Sequence, residues 1–445
     1  MTAALPVLRD VPPKDETKAG NYFVSNYPPY SLWNAAAVSE AHAVFDRPPA
    51  SSNPLGVYIH IPFCRKRCHF CYFKVYTDKN ASEVESYLDA VVDELALYAA
   101  KPFLGGRKPA FIYFGGGTPS YISSTQLGRM VERMKKLLPW DQAREIAFEC
   151  EPGTITEGKL RAIRDIGVTR LSLGIENFND AILKANGRAH ESKEIGRAYD
   201  MARTIGFRQV NIDLIAGMVG ETDENWRDCV RRTIEMEPDS VTIYQMEIPY
   251  NTTIFKEMKA HGESVAPVAE WSVKRDWVRY AFSEFEARGW KIGSAYTAVR
   301  DPANASFLYR DMLWEGADML GLGVASFSHA QGTHYQNEHE FETYRSRLQR
   351  GELPVFRALT PTAEERMIRE FVLQMKRGGV NARYFLDKFG VDVRARFAEP
   401  LEKLRGEGLL SSEAGAVGLN RDGLLQVDRL LPEFFKPEHR VARRV

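Results

Sequence analysis

The sequence predicts an α/β protein in which helices cover a parallel sheet and a small, mostly helical domain follows. Short apolar, β-branched runs alternate six times with long stretches whose apolar residues recur at three- and four-residue spacing. Successive strand–helix units of this kind form parallel sheets through right-handed crossovers. After Leu359 the pattern changes to short, charged amphipathic helices. The pattern alone does not choose between an open doubly wound sheet and a full or partial barrel.

The individual elements follow from this alternation. The six predicted strands cover residues 57–61, 110–114, 146–149, 171–175, 210–215 and 240–244. The helices between and after them cover residues 82–100, 125–138, 156–166, 192–205, 225–236 and 268–287. Four of these helices begin with a residue whose side-chain oxygen suits an N-cap, namely Ser82, Thr125, Thr156 and Ser192.

Changes in composition divide the chain into four segments. Residues 1–55, rich in Pro, Ala, Ser and Asn, predict an N-terminal arm with few regular elements. The α/β domain is expected at 56–335, a connecting segment at 336–359, and a C-terminal helical domain at 360–445. The glycine-punctuated stretch 415–423 predicts a hairpin, which would make the last domain resemble a winged helix.

Charge and hydropathy exclude several classes of protein. The 445 residues contain 59 Lys or Arg and 59 Asp or Glu, so the formal net charge is zero and no electrostatic footprint for nucleic acid is expected. The basic end at 440–444 is interpreted as a solvated tail. With no signal segment and no apolar stretch near the roughly 20 residues of a membrane helix, we expect a cytoplasmic protein without a membrane span.

Three of the five cysteines form a compact motif directly after the first predicted strand. Cys64, Cys68 and Cys71 are spaced C-x3-C-x2-C on a loop at the carboxyl edge of the sheet. Three thiolates on one loop hold three irons of a [4Fe–4S] cluster and leave the fourth iron open to a cofactor. The alternative is a structural zinc site, which needs a fourth ligand such as His69 or His60.

The residues around the motif add two expectations. Arg65, Lys66 and Arg67 place positive charge beside the thiols, which should favour ionised sulfur. Cys150 and Cys229 lie far from the motif, and both are expected to pack in the core.

A glycine-rich turn follows the second predicted strand. The segment Gly115-Gly116-Gly117-Thr118-Pro119 lets backbone groups approach a ligand without obstruction by side chains. Backbone amides in such a turn hold a carboxylate or orient an amino group. A glycine triplet alone is weak evidence, since a tight turn explains it as well.

Together these motifs resemble the radical S-adenosylmethionine (SAM) proteins related to oxygen-independent coproporphyrinogen III oxidase. The resemblance rests on the cysteine motif with the preceding Tyr58-x-His60-Ile61-Pro62-Phe63, and on the glycine turn. It covers about residues 55–330 and continues into the ending at 423–435. The group also contains a heme chaperone, anaerobic heme-degrading enzymes and a class of methyltransferases. The resemblance implies a partial (β/α)6 TIM-like barrel with a small helical, winged-helix-like C-terminal domain.

The resemblance also implies cofactors and the residues that hold them. The cofactors are a [4Fe–4S] cluster and one or two molecules of SAM, whose reductive cleavage yields a 5′-deoxyadenosyl radical. The implied cluster ligands, which are also the catalytic centre, are Cys64, Cys68 and Cys71. The residues implied at the SAM site are Tyr58, Gly116, Gly117, Thr118, Glu149, Glu176, Arg188 and Asp213.

Three positions depart from the pattern of the family. The authentic oxidase has a further cysteine two residues after the third ligand, where this chain has Phe73. The family often has glutamine where this chain has Glu176. The heme chaperone has a His-Asn pair before a Tyr-Trp, of which only Trp314 remains here. The first departure weighs against the oxidase reaction and the third against heme binding.

We therefore expect a radical SAM enzyme that modifies a porphyrin-like or other conjugated, largely apolar small molecule. Oxidative decarboxylation of the coproporphyrinogen III dehydrogenase type and methyl transfer to an sp² carbon both stay open, and an electron donor such as a flavodoxin or ferredoxin is implied. The aromatic and polar stretch from Tyr296 through 309–337 is expected to line the substrate pocket. The alternatives are a heme-binding chaperone that carries a cluster and, on the shape of the last domain alone, a DNA-binding protein.

Overall fold

The computed structural model describes residues 22–49, 52–262, 267–412 and 417–440. Their fold is built on one large mixed sheet and a small two-stranded sheet. The strands are β1 Leu55–Ile61, β2 Pro109–Gly116, β3 Glu145–Cys150, β4 Arg170–Glu176, β5 Gln209–Ala216, β6 Ser240–Gln245, β7 Lys291–Ser294, β8 Thr297–Val299, β9 Asp318–Leu322, β10 Phe327–Ala330, β11 Thr333–Asn337, β12 Val355–Leu359, β13 Gly379–Val380 and β14 Val417–Gly418.

Helices connect most of these strands and make up most of the C-terminal part. They are α1 Val38–Phe45, α2 Ala81–Ala99, α3 Ser124–Leu137, α4 Glu157–Asp165, α5 Asp180–Ala185, α6 Ser192–Ile205, α7 Asp223–Met236, α8 Thr253–His261, α9 Trp271–Glu286, α10 Leu308–Trp314, α11 Phe341–Gln349, α12 Ala363–Met375, α13 Ala382–Phe389, α14 Val393–Arg396, α15 Ala398–Gly406, α16 Arg421–Leu425 and α17 Val427–Leu430.

The six predicted strands form the parallel centre of the sheet. Strands β1 to β6 lie side by side in chain order, and every neighbouring pair is parallel. Because each of these strands is separated from the next by at least one helix, all their carboxyl ends meet at one edge of the sheet. The predicted α/β fold with a parallel sheet is therefore confirmed.

The sheet is longer than predicted at both ends. Strand β9 pairs in parallel with β1, and β10, β11 and β12 continue from it in antiparallel order. On the other side β8 and β7 extend β6, also antiparallel. These strands are only three to five residues long, and all of them except β12 contain Gly, His, Ser or Thr, so most lack the apolar signal of the central strands.

The helix starts were predicted less well than the helices themselves. Thr156 caps α4 as predicted, its side chain accepting a hydrogen bond from the Lys159 amide. The other three predicted caps are wrong by one or two residues, because the caps are Asn80 instead of Ser82, Ser123 instead of Thr125, and Glu191 instead of Ser192.

The C-terminal part is helical, and a short antiparallel pairing lies where the hairpin was expected. Leu410 pairs with Leu419, and the Ser411 amide donates to the Gly418 carbonyl at 2.9 Å, on either side of residues 413–416. Strand β14 also pairs with β13, which lies on the other side of α13, α14 and α15 in the sequence. Residues 413–416, within the predicted hairpin, lie outside the described residues, as do 1–21 and the basic residues at 441–444.

The two ends of the chain and the expected connecting segment are tied into the fold. Val24 and Tyr27 of the N-terminal arm are buried in the core of the C-terminal helices. Residues 336–359 supply α11 and β12, and β12 pairs with β11 in the main sheet. Cys150 and Cys229 are buried in the main core, as expected. In the described residues, no helix combines the length and the apolar character needed to cross a membrane.

Candidate functional site

The cysteine loop lies at the carboxyl edge of the sheet and is held by backbone hydrogen bonds. The Cys64 amide donates to the Tyr76 carbonyl at 3.0 Å, and the Tyr76 amide returns a bond to the Pro62 carbonyl at 2.8 Å. Farther along, the Cys71 amide donates to the Cys68 carbonyl at 3.1 Å. These bonds fix the loop as a ring of backbone around the three thiols.

Two side chains from outside the cysteine loop reach the sulfur atoms. The Thr118 hydroxyl donates to Cys64 Sγ at 3.3 Å, and Arg188 Nη1 donates to Cys68 Sγ at 3.3 Å. The structure therefore brings together the cysteine motif, the glycine turn and Arg188, which together span more than 100 residues of the sequence.

The donor set fits a cluster better than a zinc ion. In the described part of the chain, no three His, Cys, Asp or Glu side chains are grouped closely enough to hold one metal ion. Thiolates of a [4Fe–4S] cluster each bind a different iron, so they do not need to converge on one point. His69 is engaged elsewhere, since its Nδ1 donates to the Ala185 carbonyl at 3.0 Å.

Burial outweighs the basic residues inside the motif in its effect on the thiols. Arg65 forms a bidentate bond with Glu151, and Arg67 donates to the Cys71 carbonyl at 3.0 Å. Burial raises the pKa of Cys64 to about 11 and that of Cys71 to about 12, although the charge of Arg67 lowers the pKa of Cys71, as expected. The cation in contact with sulfur is Arg188.

The glycine turn packs directly against the start of the cysteine loop. Gly116 has φ +111°, and a methyl group on it would lie 2.6 Å from the His60 ring. The Gly117 amide donates to the Ile61 carbonyl at 2.8 Å, and the Thr118 amide to the Phe63 carbonyl at 2.8 Å. Glycine is required at Gly116 because both the backbone angle and the space exclude a side chain.

Three carboxylates from neighbouring strands line the interior beside this turn. Glu149 ends β3 and accepts a hydrogen bond from the Tyr113 hydroxyl at 2.6 Å. Glu176 ends β4 with φ 63°, a left-handed conformation that is uncommon outside glycine. Asp213 on β5 accepts from the Ser172 hydroxyl at 2.7 Å and from Asn211 Nδ2 at 2.8 Å.

The electrostatics of this interior favour a cationic ligand. Burial and the charges of Asp213 and Glu176 raise the pKa of Glu149 to about 7. Burial and the charge of Asp213 raise the pKa of Glu176 to about 7, although Arg188 opposes the shift. The pKa of Asp213 is also raised by burial. A ligand with positive charge, such as a sulfonium or an ammonium group, would relieve this repulsion.

Arg188 connects the carboxylates with the sulfur loop. Its Nη2 donates to the Gly174 carbonyl at 2.5 Å and lies 3.5 Å from Glu176 Oε1. Its Nε is buried and has no hydrogen-bond partner among the described residues. Burial opposes the charge, but Cys68 and Glu176 together raise the pKa of Arg188, so the guanidinium stays charged. A buried cation with a free donor is suited to bind a ligand carboxylate.

Two aromatic side chains that the sequence analysis did not select, Tyr113 and Tyr244, complete the site. Tyr113 stacks between Tyr58, at 5.9 Å, and Tyr309, at 4.3 Å between ring centroids. Tyr244, near the end of β6, is 44% exposed. Yet enclosure by protein and the charges of Asp213 and Glu149 raise its pKa. The exposure of the ring and its raised pKa are compatible if Tyr244 faces an open cavity inside the protein. The sequence feature that could have identified Tyr244 is its position at the carboxyl end of a predicted strand.

The stretch expected to line a substrate pocket is in several different surroundings. Tyr309 stacks on Tyr113 beside the site, and the Tyr296 hydroxyl binds Asp428 of the C-terminal part. His329 and His334 bond to each other, with 3.0 Å between their Nδ1 atoms. The position of Tyr309 agrees with the expectation, which stays a prediction for the rest of the stretch.

The chain was then compared with known proteins. Residues 58–233 match the model of the radical SAM superfamily, and residues 362–425 match that of the HemN C-terminal domain. The chain therefore has a radical SAM domain followed by a HemN C-terminal domain. A radical SAM domain implies a [4Fe–4S] cluster and SAM, and the three thiols, the cationic Arg188 and the acidic interior are chemically suited to these groups.

Relatives with two different names match this radical SAM protein equally well. The heme chaperone HemW of Bacillus subtilis is 28% identical over 83% of this chain and 96% of its own. The oxygen-independent coproporphyrinogen III oxidase of Helicobacter pylori is 27% identical over 86% of each chain. The structure of coproporphyrinogen III oxidase (HemN) from Escherichia coli shares the fold, with a TM-score of 0.78 and 23% identity over 93% of this chain and 96% of that chain.

Replacing Gly116 with alanine is expected to destabilise the folded protein by about 1–3 kcal/mol, because the residue would hold a positive φ and press on a buried ring. Urea unfolding followed by circular dichroism measures the change. Gly128→Ala is the matched control: it lies within α3 with no atom within 4 Å of an added methyl group. This control should gain roughly 0.5–1 kcal/mol. Equal stability of the Gly116 variant and the wild type would contradict the geometry.

Proposed function

We propose that Cys64, Cys68 and Cys71 hold the cluster of this radical SAM enzyme, and that SAM binds between the glycine turn and Arg188. The observation that carries the proposal is the pair of contacts from Thr118 and Arg188 to the sulfur atoms, since both residues belong to the candidate SAM site. A ligand held by these two residues lies next to the thiols without any further rearrangement.

Each group of side chains has a distinct task in this proposal. Arg188 pairs with the carboxylate of SAM, and backbone carbonyls of the turn at Gly116 and Gly117 accept hydrogen bonds from its amino group. In this proposal Glu149 and Asp213 face the cationic and ribose groups of SAM. When bound, the cluster and SAM supply a reductive cleavage that yields a 5′-deoxyadenosyl radical. The surrounding strands exclude water from that radical.

The substrate that we propose is a flat, conjugated, largely apolar molecule. Six large apolar side chains of the described residues are exposed, and three of them, Phe73, Tyr244 and Tyr250, lie around this site. Phe73 stacks on Tyr72 with 4.6 Å between ring centroids, and Asn251 Nδ2 donates to the Tyr72 carbonyl at 3.0 Å. Stacking on aromatic faces suits a planar substrate such as a porphyrin.

The proposed reaction is either oxidative decarboxylation or methyl transfer to an sp² carbon. Phe73 occupies the position where the authentic oxidase has a cysteine, which weighs against the oxidase reaction. We therefore propose methyl transfer as an alternative to it. Both reactions require an external one-electron donor, and methyl transfer would consume a second SAM.

Anaerobic reconstitution with iron and sulfide, followed by SAM and dithionite, tests the proposal. Mass spectrometry is expected to detect 5′-deoxyadenosine. With a porphyrinogen substrate, release of carbon dioxide would identify the oxidase reaction, whereas S-adenosylhomocysteine and a methylated product would identify methyl transfer. A protein that carries a full cluster yet leaves SAM intact under strong reductant would refute the assignment.

A heme chaperone with a cluster is the second candidate. It is favoured by the similarity to HemW, which covers 96% of that protein. Against it, the His-Asn pair is missing, and Trp314 lies under the guanidinium of Arg310, 5.2 Å from its ring centroid. Titration with heme, followed by absorbance, distinguishes the two functions: stoichiometric heme binding without turnover of any substrate would favour the chaperone.

A further inference from the structure

A buried arginine lies at the amino end of β4, away from the edge of the sheet that carries the candidate site. Arg170 is the first residue of that strand and is 3% exposed. Its Nη1 donates to Gln209 Oε1 at 3.1 Å and to Ser240 Oγ at 3.0 Å, and no carboxylate of the described residues forms an ion pair with it. Burying a cation without a paired carboxylate costs free energy. Arg170 is therefore a candidate for a role beyond packing.

A series of hydrogen bonds connects this arginine with Asp213 of the candidate site. Arg170 donates to Ser240, and the Ser240 hydroxyl donates to Asn211 Oδ1 at 2.7 Å. Asn211 Nδ2 donates to Asp213 Oδ1 at 2.8 Å and to Ser172 Oγ at 2.9 Å. The Ser172 hydroxyl then donates to Asp213 Oδ2 at 2.7 Å. Every donor in this series is directed towards the carboxylate, and we call the four residues that precede it the arginine network.

The register of the parallel strands places the arginine network on one face of the sheet. Strands β4 and β5 pair Ser172 with Asn211, and β5 and β6 pair Asn211 with Ser240. Arg170 lies two positions before Ser172 on β4, and Asp213 lies two positions after Asn211 on β5, so the alternation of side chains keeps them on the same face. The three linking side chains are buried. Water therefore does not compete for these hydrogen bonds.

The arginine network favours the ionised form of Asp213. Both carboxyl oxygens accept hydrogen bonds and neither donates one, as expected of a carboxylate. Burial raises the pKa of Asp213, whereas the charge of Arg170 and the hydrogen bonds from Ser172 and Asn211 lower it. Other titratable groups act on Asp213 from the neighbouring strands, namely Tyr113 of β2, Glu149 of β3, Glu176 of β4 and Tyr244 of β6. These four groups are acidic, so the stabilising positive charge comes from Arg170.

We propose that Arg170 is a positioning residue that acts on Asp213 and, through Asp213, on bound SAM. The inference rests on the proposed function, in which Asp213 faces the ribose and cationic groups of SAM. An ionised carboxylate accepts hydrogen bonds from ribose hydroxyls and attracts a sulfonium, and a protonated carboxyl loses that attraction. Arg170 does not touch SAM in this proposal. It stabilises the negative charge of Asp213 and holds the donors that fix its orientation.

The test is the affinity of the cluster-loaded full chain for SAM, measured by isothermal titration calorimetry between about pH 6 and pH 9. Arg170→Met removes the charge and keeps most of the apolar volume. Without the cation the pKa of Asp213 should rise further, so its carboxyl is protonated at the acidic end of the range. The dissociation constant should there exceed that of the wild type about tenfold, and the ratio should fall as the pH increases. Glu149 and Glu176 titrate in both proteins, so the ratio reports mainly on Asp213.

Three further variants make the result specific. Arg170→Lys keeps the cation and should restore most of the affinity and the pH profile of the wild type. Ser240→Ala interrupts the network without removing a charge, and it should cause a smaller loss of the same kind. Arg369→Met is the matched control, because Arg369 is 6% exposed and donates to Asn26 Oδ1 at 2.7 Å in the C-terminal part. This control should bind SAM as the wild type does.

The possible outcomes separate this inference from the proposed function. If Arg170→Met loses affinity equally at every pH, its role is only structural and the inference is overturned. Wild-type affinity in Arg170→Met would overturn it as well. If Arg170→Met does not fold, Ser240→Ala decides by the same two criteria. A wild type that binds SAM alongside any of these negative results leaves the proposed function intact, whereas a cluster-loaded wild type that does not bind SAM refutes both.

Discussion

Replacing Cys68 with alanine is expected to abolish SAM cleavage while leaving the fold intact. Cys68 is only partly buried, and its Sγ accepts a hydrogen bond from Arg188. Its removal therefore opens no large cavity in the core. It does remove one of three proposed ligands, and a loop with two thiols has no third anchor for a cubane cluster. Iron and sulfide content should drop sharply, and 5′-deoxyadenosine formation should fall by about three orders of magnitude or more.

Cys229→Ala is the matched control for this variant, because it removes a thiol from the core far from the loop. It should keep its iron and its SAM cleavage and lose roughly 1–2 kcal/mol of stability, since Cys229 is fully buried. Iron analysis, electron paramagnetic resonance after reduction and mass spectrometry measure the three properties. A Cys68 variant with full iron content and normal cleavage would remove Cys68 from the proposed ligand set.

The central fold was predictable because its strands carry a local signal. A parallel strand that is covered on both faces reads as an apolar run, as in β1 to β3, whereas β4 to β6 carry apolar residues at alternate positions, which also indicates a strand. Strands β9 to β11 are short and rich in small and polar residues, and they become strands only by pairing with β1 and with each other. That pairing depends on tertiary neighbours, which a scan along the sequence does not contain.

The features of the candidate site differ in the same way: some were visible in the sequence, and others depend on tertiary contacts. Cysteine spacing and a glycine triplet are local patterns, so both were visible in the sequence. The position of Arg65 was visible too, but its pairing with Glu151 was not, because the two residues are 86 positions apart. Tyr113 offered an intermediate case: strand alternation puts it on the same face as Gly115, yet its bond to Glu149 emerges only when β2 and β3 pair.

Replacing Arg188 with alanine is the second change with a large expected effect. It should weaken the binding of SAM and leave the cluster content unchanged. The variant leaves Glu176 without the cation that lies 3.5 Å from its Oε1 and removes the proposed partner of the SAM carboxylate. Loss of one member of a buried, charge-assisted pair costs about 2–3 kcal/mol, so the dissociation constant should rise roughly 30- to 150-fold. Isothermal titration calorimetry of the cluster-loaded protein with SAM measures this dissociation constant. Arg188→Lys keeps the charge but not the planar fork and should give an intermediate value.

Glu176→Gln tests the electrostatic part of the same argument, because it removes a charge and keeps the shape. Burial raises the pKa of Glu176 to about 7, so in the wild type this carboxyl is protonated below that pH and ionised above it. Ionised Glu176 attracts the cationic groups of SAM, and affinity should therefore rise as the pH increases through 7. In Glu176→Gln that contribution is absent, and the rise should be smaller than in the wild type. Identical pH profiles for the two proteins would mean that Glu176 does not face bound SAM, and that Arg188 and Asp213 govern the site without it.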